Sequence, residues 1–198
     1  MEITQPDASK ILIRKAKPKD IEGIFQIAKE VGSTRKNMNT GFLIDDYSIS
    51  PDKHKIRFKE KIASGNHFYV AVEKRKPIAF LIANTVEEWE ATCPNWRQMV
   101  RWRPDFYWTG IKSFIYSEKM AVDINYAGKG IASLLYDRMM SEMLASNIHD
   151  LFSETVISPV PNMASLGFRR KQGFTLAGVR YQEFQNNIVT NLVFHKKI

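Results

Sequence analysis

The chain is poor in the residues that build metal centres and covalent frameworks. It has one cysteine, Cys93, in 198 residues, which excludes an internal disulfide framework and any CxxC metal site. Its four histidines, His54, His67, His149 and His195, show neither HxxxH nor HExxH spacing. No apolar run approaches the ~18 residues that a membrane-spanning helix needs, and Met1 to Lys10 holds no apolar segment of signal-peptide type. Internal repeats and low-complexity segments are absent too. These absences lead us to expect a metal-free protein of the cytoplasm.

What is present suits one globular domain carrying an insertion. Hydrophobic residues make up 44% of the chain, and the formal net charge is +8. A basic balance favours anionic partners, such as nucleic acid, anionic lipid or a polyphosphate ligand. It is equally met by basic residues that solvate the surface, since Lys53, Lys55, Arg57, Lys59 and Lys61 are spread along one helical stretch. Arg169, Arg170 and Lys171 form the one tight triplet.

Periodicity gives the element order. Ile11 to Ile13 reads as a strand, and Pro18 and Asp20 suit a helix start. Ile21, Ile24, Phe25 and Ala28 then share one helical face. A loop is expected from Ser33 to Pro51, followed by a helix from Asp52 to Ser64 with Ile56 and Ile62 inward. His67–Glu73 and Ile78–Asn84 form a hairpin. After the segment 87–110 come a strand from Ile111 to Val122, a helix from Gly128, a strand from Asp150 to Val156 and a short helix from Asn162 to Gln172. Phe174–Val179 and Ile188–His195 close the chain as a second hairpin. The order predicts an α/β (α+β) fold, a mixed sheet with helices on both faces.

The most informative stretch runs from Val122 to Ala132. An apolar strand enters a turn that carries Gly128-Lys129-Gly130, and an amphipathic helical pattern, Ser133 to Met143, leaves it. Such a turn gathers backbone N–H groups and a helix N-terminus at one point, an anion site. A P-loop needs GxxxxGK[ST], which is not the spacing here. A dinucleotide-binding turn needs a third glycine, and Ser133 stands in that place.

The spacing resembles the acetyl-CoA turn of the GNAT superfamily of N-acetyltransferases. That pattern is Gln or Arg, two residues, Gly, one residue, then Gly or Ala, and Ala127 departs from it where Gln or Arg is usual. A second segment, Asn162 to Phe174, is similar to the family's late helix and its following Gly-Phe. Ile13-Arg14-Lys15-Ala16 with Asp20 looks like its opening strand and helix. The resemblance implies a mostly antiparallel mixed sheet over a single domain, residues 1–198. It also implies acetyl-CoA as cosubstrate, an amine of a small molecule or peptide as acceptor, and direct attack without an acyl-enzyme. The implied cofactor contacts are Val122, Ile124, Ala127, Gly128, Lys129, Gly130, Ile131, Ala132 and Ser133, with Asn162 and Arg169 from the late helix. Asn162 serves equally as an N-cap. Arg169 occupies the position where the family often has a tyrosine acid; it suits either a CoA phosphate or a solvated helix face.

For a general base, two strand-end carboxylates stand out, Glu154 and Glu118; the competing reading pairs each with a basic residue. Tyr181 is the candidate acid, with water as its alternative. All four tryptophans (Trp89, Trp96, Trp102 and Trp108) fall in 87–110, interleaved with arginine. That insert reads as a wall of an acceptor pocket, as packing on the sheet or in a homodimer, or as a base-stacking surface. The loop Asn37 to Tyr47, with Phe42 and the pair Asp45-Asp46, is a second candidate wall. Two rival functions stay open: a non-catalytic acyl-CoA-binding or regulatory module, and a nucleic-acid-binding protein.

Overall fold

The computed structural model describes residues 11–32, 36–65 and 67–198. The expectations for Met1–Lys10 and for the first residues of the loop at Ser33 lie outside them. Strands β1 (Leu12–Lys15), β2 (His67–Glu73), β3 (Lys76–Thr85), β4 (Val100–Trp102), β5 (Ile115–Val122), β6 (Asp150–Ser158), β7 (Thr175–Phe184) and β8 (Asn187–Lys197) form one mixed sheet. Its order is β1-β2-β3-β5-β6-β8-β7-β4. Most neighbours run antiparallel, while β5 and β6 are parallel, as a connection through a helix requires. The helices are α1 (Ile21–Val31), α2 (Pro51–Ser64), α3 (Val86–Thr92), α4 (Trp96–Met99), α5 (Ile131–Ala145) and α6 (Met163–Lys171). Among the described residues no helix is long and apolar enough to cross a membrane.

The chain divides into two compact units. In the first, α1 buries Ile24, Phe25, Ile27 and Ala28 against Phe68, Val70 and Val72 of β2 and Phe80 and Ile82 of β3. Helix α2 turns differently from the expectation. Ile56 is exposed, Ile62 is only partly buried, and Phe58 is the buried residue. Its ring stacks near Tyr47 and meets Phe68 and Phe80 edge-on, so one aromatic with three ring neighbours sets the helix rotation. Pro18 opens a 3₁₀ turn, Pro18–Asp20, as its fixed φ favours. Asp20 is buried and accepts two hydrogen bonds from the Arg14 guanidinium, at 2.6 and 2.8 Å. Burial works to raise the Asp20 pKa, and Arg14 with the Lys17 N–H outweighs it, so the net direction is down.

The second unit holds 37–41, 83–118 and 141–198. Its core gathers Val86, Trp89, Trp96 and Val100 with Phe114, Tyr116, Phe152, Ala177 and Val193. The insert is therefore packing for this unit's core, the second of the three readings of it. Trp96 is 1% exposed and touches the rings of Trp89, Trp102, Phe114, Tyr116 and Phe152. The insert also supplies β4, three residues that sequence periodicity did not reveal. It pairs with β7 as Val100↔Arg180, Arg101↔Val179 and Trp102↔Gly178. The strand expected from Ile111 begins at Ile115, because a 3₁₀ turn at Trp108–Gly110 precedes it.

Strand β7 bulges between Leu176 and Gly178, and β4 lies close over the bulge. A Cβ on Gly178 would stand 2.7 Å from the Arg101 carbonyl oxygen and from Val100 Cγ1. Gly178→Ala should therefore push β4 off the sheet edge and cost about 1–3 kcal/mol. The measurement is a lowered denaturant midpoint at unchanged m-value, and an unchanged midpoint would contradict the close approach.

Candidate functional site

The glycine turn lies in the first unit and is built from its own side chains upward. Strand β5 ends at Val122, and the Asp123 N–H donates to the Ile78 carbonyl at 2.8 Å. The Asp123 carboxylate then accepts from the N–H and the side-chain amide of Asn125, both at 2.9 Å. This winds Ile124–Tyr126 into a 3₁₀ turn. Tyr126 donates its hydroxyl proton to Glu73 at 2.6 Å, a bond that raises the phenol pKa ahead of burial. Lys129 lies over the Tyr126 ring at 5.2 Å.

Gly128 and Gly130 follow with φ of +76° and +79°, the left-handed region where other residues are strained. No atom lies within 4 Å of a Cβ placed on either, so backbone conformation, rather than crowding in the unliganded chain, calls for glycine there. Ser133 and Leu134 donate to the Gly130 carbonyl, which starts α5. The N–H groups of residues 130–132 precede those bonds and have no acceptor within the helix. They face the positive end of a fifteen-residue helix, an arrangement suited to phosphate.

A second group lies in the other unit, where β5 and β6 start in parallel register, Ile115↔Leu151 to Ser117↔Ser153. Glu118 and Glu154 each follow the last of these rungs, so the fold brings the two expected carboxylates to adjacent strands. Their surroundings differ. The Glu154 carboxylate accepts from Trp96 Nε1 at 2.6 Å, from Arg180 Nε at 2.8 Å and from Arg180 Nη2 at 2.6 Å. Both side chains of that ion pair are buried. Burial would lower the Arg180 pKa, and Glu154 overcomes it, leaving the guanidinium more firmly charged than usual. Glu118 is half-buried and accepts from Asn84 Nδ2 at 2.9 Å.

Tyr116 is the polar residue that sequence reading missed. It lies two residues before Glu118, 4% exposed, with its ring stacked 3.7 Å from Trp89. Burial first, and the charge of Glu154 next, push its hydroxyl well above the usual phenol range. A tyrosine inside an apolar strand run carries no sequence signal of the carboxylate beside it. The one available clue was that Tyr116, Glu118 and the insert's aromatics belong to the same stretch of chain.

The family model for the acetyltransferase (GNAT) family matches residues 36–174. The chain belongs to that family. Its fold is similar to that of an N-acetyltransferase from Staphylococcus aureus Mu50, at 20% identity and a TM-score of 0.67, covering 94% of this chain and 98% of that one. It is also similar to a phosphinothricin acetyltransferase from Sinorhizobium meliloti in complex with AcCoA, at 15% identity and a TM-score of 0.64, over 96% and 89% of the two chains. A third is a ribosomal-protein-alanine N-acetyltransferase from Brucella melitensis, at 20% identity and a TM-score of 0.60, over 94% and 99%. No curated protein sequence matches the chain.

In this GNAT protein the late helix α6 has two features of note. Asn162 is its N-cap, accepting from the Ser165 N–H at 3.1 Å. Arg169 is 5% exposed and lies over the Phe168 and Phe174 rings. That corrects the solvated-face reading of Arg169, because its guanidinium is drawn onto aromatic faces. The exposed members of the triplet are Arg170 and Lys171, which line an open groove with Met163, Leu166 and Gly167. Tyr181 is 57% exposed on β7.

In the loop after α1, Asp45 pairs with Lys119 at 2.8 Å, and Phe42 and Tyr47 are buried; these residues belong to the first unit. His195 shares a 2.7 Å hydrogen bond with Asp150, and His67 one of 2.8 Å with Tyr69, as satisfied strand histidines. Burial raises the Cys93 pKa, which keeps it a thiol. No group of residues able to hold a metal occurs among the described residues.

Glu154→Gln separates support from catalysis. It strands the buried Arg180 charge, and such losses run to about 3–5 kcal/mol. We expect a large fall in unfolding midpoint with activity per folded molecule retained. An unchanged midpoint with lost activity would identify Glu154 as the base instead.

Proposed function

We propose that this chain is an N-acetyltransferase that moves an acetyl group from acetyl-CoA to a primary amine of a small molecule or peptide. The observation that carries the reading is the turn at Gly128 and Gly130, two left-handed glycines between strand β5 and the N-terminus of α5. In this reading the N–H groups of residues 128–133 hold the pyrophosphate, with Lys129 adding charge. The Val122 and Ile124 backbones line the arm of the cofactor, joined by Ala127, Ile131, Ala132 and Ser133. By resemblance to the family, Asn162, beyond its capping role, and Arg169, with the exposed Arg170 and Lys171, are further candidate contacts for CoA. The whole chain acts as one acetyltransferase domain with 87–110 inserted. Its single cysteine fits the reducing cytoplasm.

The chemistry asks for little. The amine nitrogen attacks the thioester carbonyl carbon within a ternary complex, and the C–N bond forms as the C–S bond breaks. A base takes the amine proton, and the departing CoA thiolate takes one from an acid or from water. We assign the base to Glu118, because the competing carboxylate, Glu154, is spent on Arg180 and Trp96. Glu118 is reached by solvent and can take the proton directly or through one water. Tyr181, exposed on β7, is the candidate acid, with solvent as its alternative. The acceptor is open between classes, as the neighbours named for phosphinothricin and for ribosomal-protein alanine illustrate.

The test is CoA release from acetyl-CoA against polyamines, amino acids and peptides with free N-termini. Acetylation of at least one amine supports the reading. Tight acetyl-CoA binding with no release above the spontaneous rate would make the protein an acyl-CoA-binding module. Gly130→Glu should keep the fold and lose acetyl-CoA affinity by at least about 100-fold, since it adds strain and like charge where phosphate is expected. Unchanged affinity in equilibrium dialysis would move the pyrophosphate elsewhere.

A further inference from the structure

Strand β8 turns one buried row inward, Val189, Asn191 and Val193. Two valines make the row apolar, and the asparagine between them breaks it. Asn191 is 4% exposed, and its Nδ2 is buried with no hydrogen-bond partner. A buried donor left without an acceptor costs free energy, so a third aliphatic residue would serve the core better there. The register shows why the chain offers this amide nothing. Directly paired residues share a face of the sheet, and Asn191 pairs with Val156 on β6 and with Arg180 on β7. A valine side chain has no polar atom, and a guanidinium only donates. The polar side chains next along those two strands, Glu154 and Gln182, already accept from Arg180, the latter at 2.7 Å. Val156 and Gln182 are half-buried, so solvent reaches this part of the face. The χ2 of asparagine is a soft torsion, and a turn about it brings Nδ2 to that opening.

We propose that Asn191 is a specificity-determining residue of the acceptor site. Its Nδ2 donates to an oxygen that the acceptor carries beside its amine, the carboxylate of an amino acid or the first carbonyl of a peptide. The inference rests on the acetyltransferase reading and narrows its substrate class. An acceptor with such an oxygen completes the bond that the chain leaves unmade. Polyamines and plain alkylamines carry no such oxygen and leave the donor stranded. A site built to bond a substrate group discriminates against analogues that lack it.

The test takes the amino acid of the panel that is acetylated fastest, its amide, and the plain alkylamine that keeps its side chain but lacks the carbonyl. The two oxygen-bearing amines should exceed the alkylamine in kcat/KM by about tenfold or more. Comparing the acid with its amide tells which oxygen source is preferred. Asn191→Leu, apolar and of similar size, should raise KM for the oxygen-bearing amines about tenfold and leave the alkylamine and acetyl-CoA affinity unchanged. Its unfolding midpoint should hold or rise, because an unmet donor is removed; an asparagine kept for the fold would lower it. Asn191→Ala repeats the comparison should the leucine variant not fold. In the wild-type protein with CoA bound, the Asn191 side-chain amide resonances should shift with the amide substrate and stay in place with the alkylamine. If no amine of the panel is acetylated, the acetyltransferase reading fails, and this inference with it. If polyamines or the alkylamine are acetylated as well as the oxygen-bearing amines, or Asn191→Leu slows all of them alike, the reading stands and the inference is overturned. Loss of acetyl-CoA affinity in Asn191→Leu overturns it too, since the oxygen would then be the cofactor's.

Discussion

The buried Glu154 carboxylate is the constraint around which the second unit is organised. An uncompensated anion there would be intolerable, and its partners come from far along the chain. Trp96 lies 58 positions before it and Arg180 lies 26 after it. Satisfying this one group draws the insert, β6 and β7 together. Once Trp96 donates its indole N–H to Glu154, its ring is fixed among the aromatic rings of the unit's core. Helix α3 and strand β4 are placed as a consequence. Glu118, on the neighbouring strand, is half-buried and accepts from the Asn84 amide.

Two carboxylates that look alike in sequence thus differ in physical state. Each follows the last rung of the parallel β5–β6 pairing. One meets a guanidinium and an indole inside the core, the other an asparagine at a half-buried edge. Enzymes commonly divide roles between two carboxylates by giving them unlike environments. Here the difference in environment follows from the indole that the insert, and the guanidinium that the terminal hairpin, carry inward to Glu154. The tyrosine between them, Tyr116, stays neutral and packs under Trp89, joining the insert's aromatic layer to the strand that bears Glu118.

The parts of this protein that were legible in sequence are those governed by local rules. Gly128 and Gly130 announced a turn between strand and helix, and that turn is present, with both glycines at positive φ. The face of α1 followed from helical spacing of Ile24, Phe25 and Ala28. The rotation of α2 did not follow, because the charged helix offered Ile56, Phe58 and Ile62 as rivals and only the rings of Tyr47, Phe68 and Phe80 decide among them. Strand β4 was hidden because three residues, Val100 to Trp102, carry no usable periodicity and owe their pairing to Gly178. The Glu154 ion pair was hidden by sequence distance. For Arg169 the sequence left a phosphate contact and a solvated face open, because a basic triplet gives no hint that Phe168 and Phe174 will receive one of its members.

The central claim is that the Gly128–Ser133 backbone receives the pyrophosphate of acetyl-CoA. A titration of the isotope-labelled protein with acetyl-CoA, followed through its backbone amide resonances, tests this most directly. The Gly128 and Gly130 amides should shift and saturate together at micromolar ligand, as N–H groups that have gained phosphate acceptors. Resonances of these two glycines that stay in place while acetyl-CoA binds, or that stay in place because it does not bind, would contradict the account.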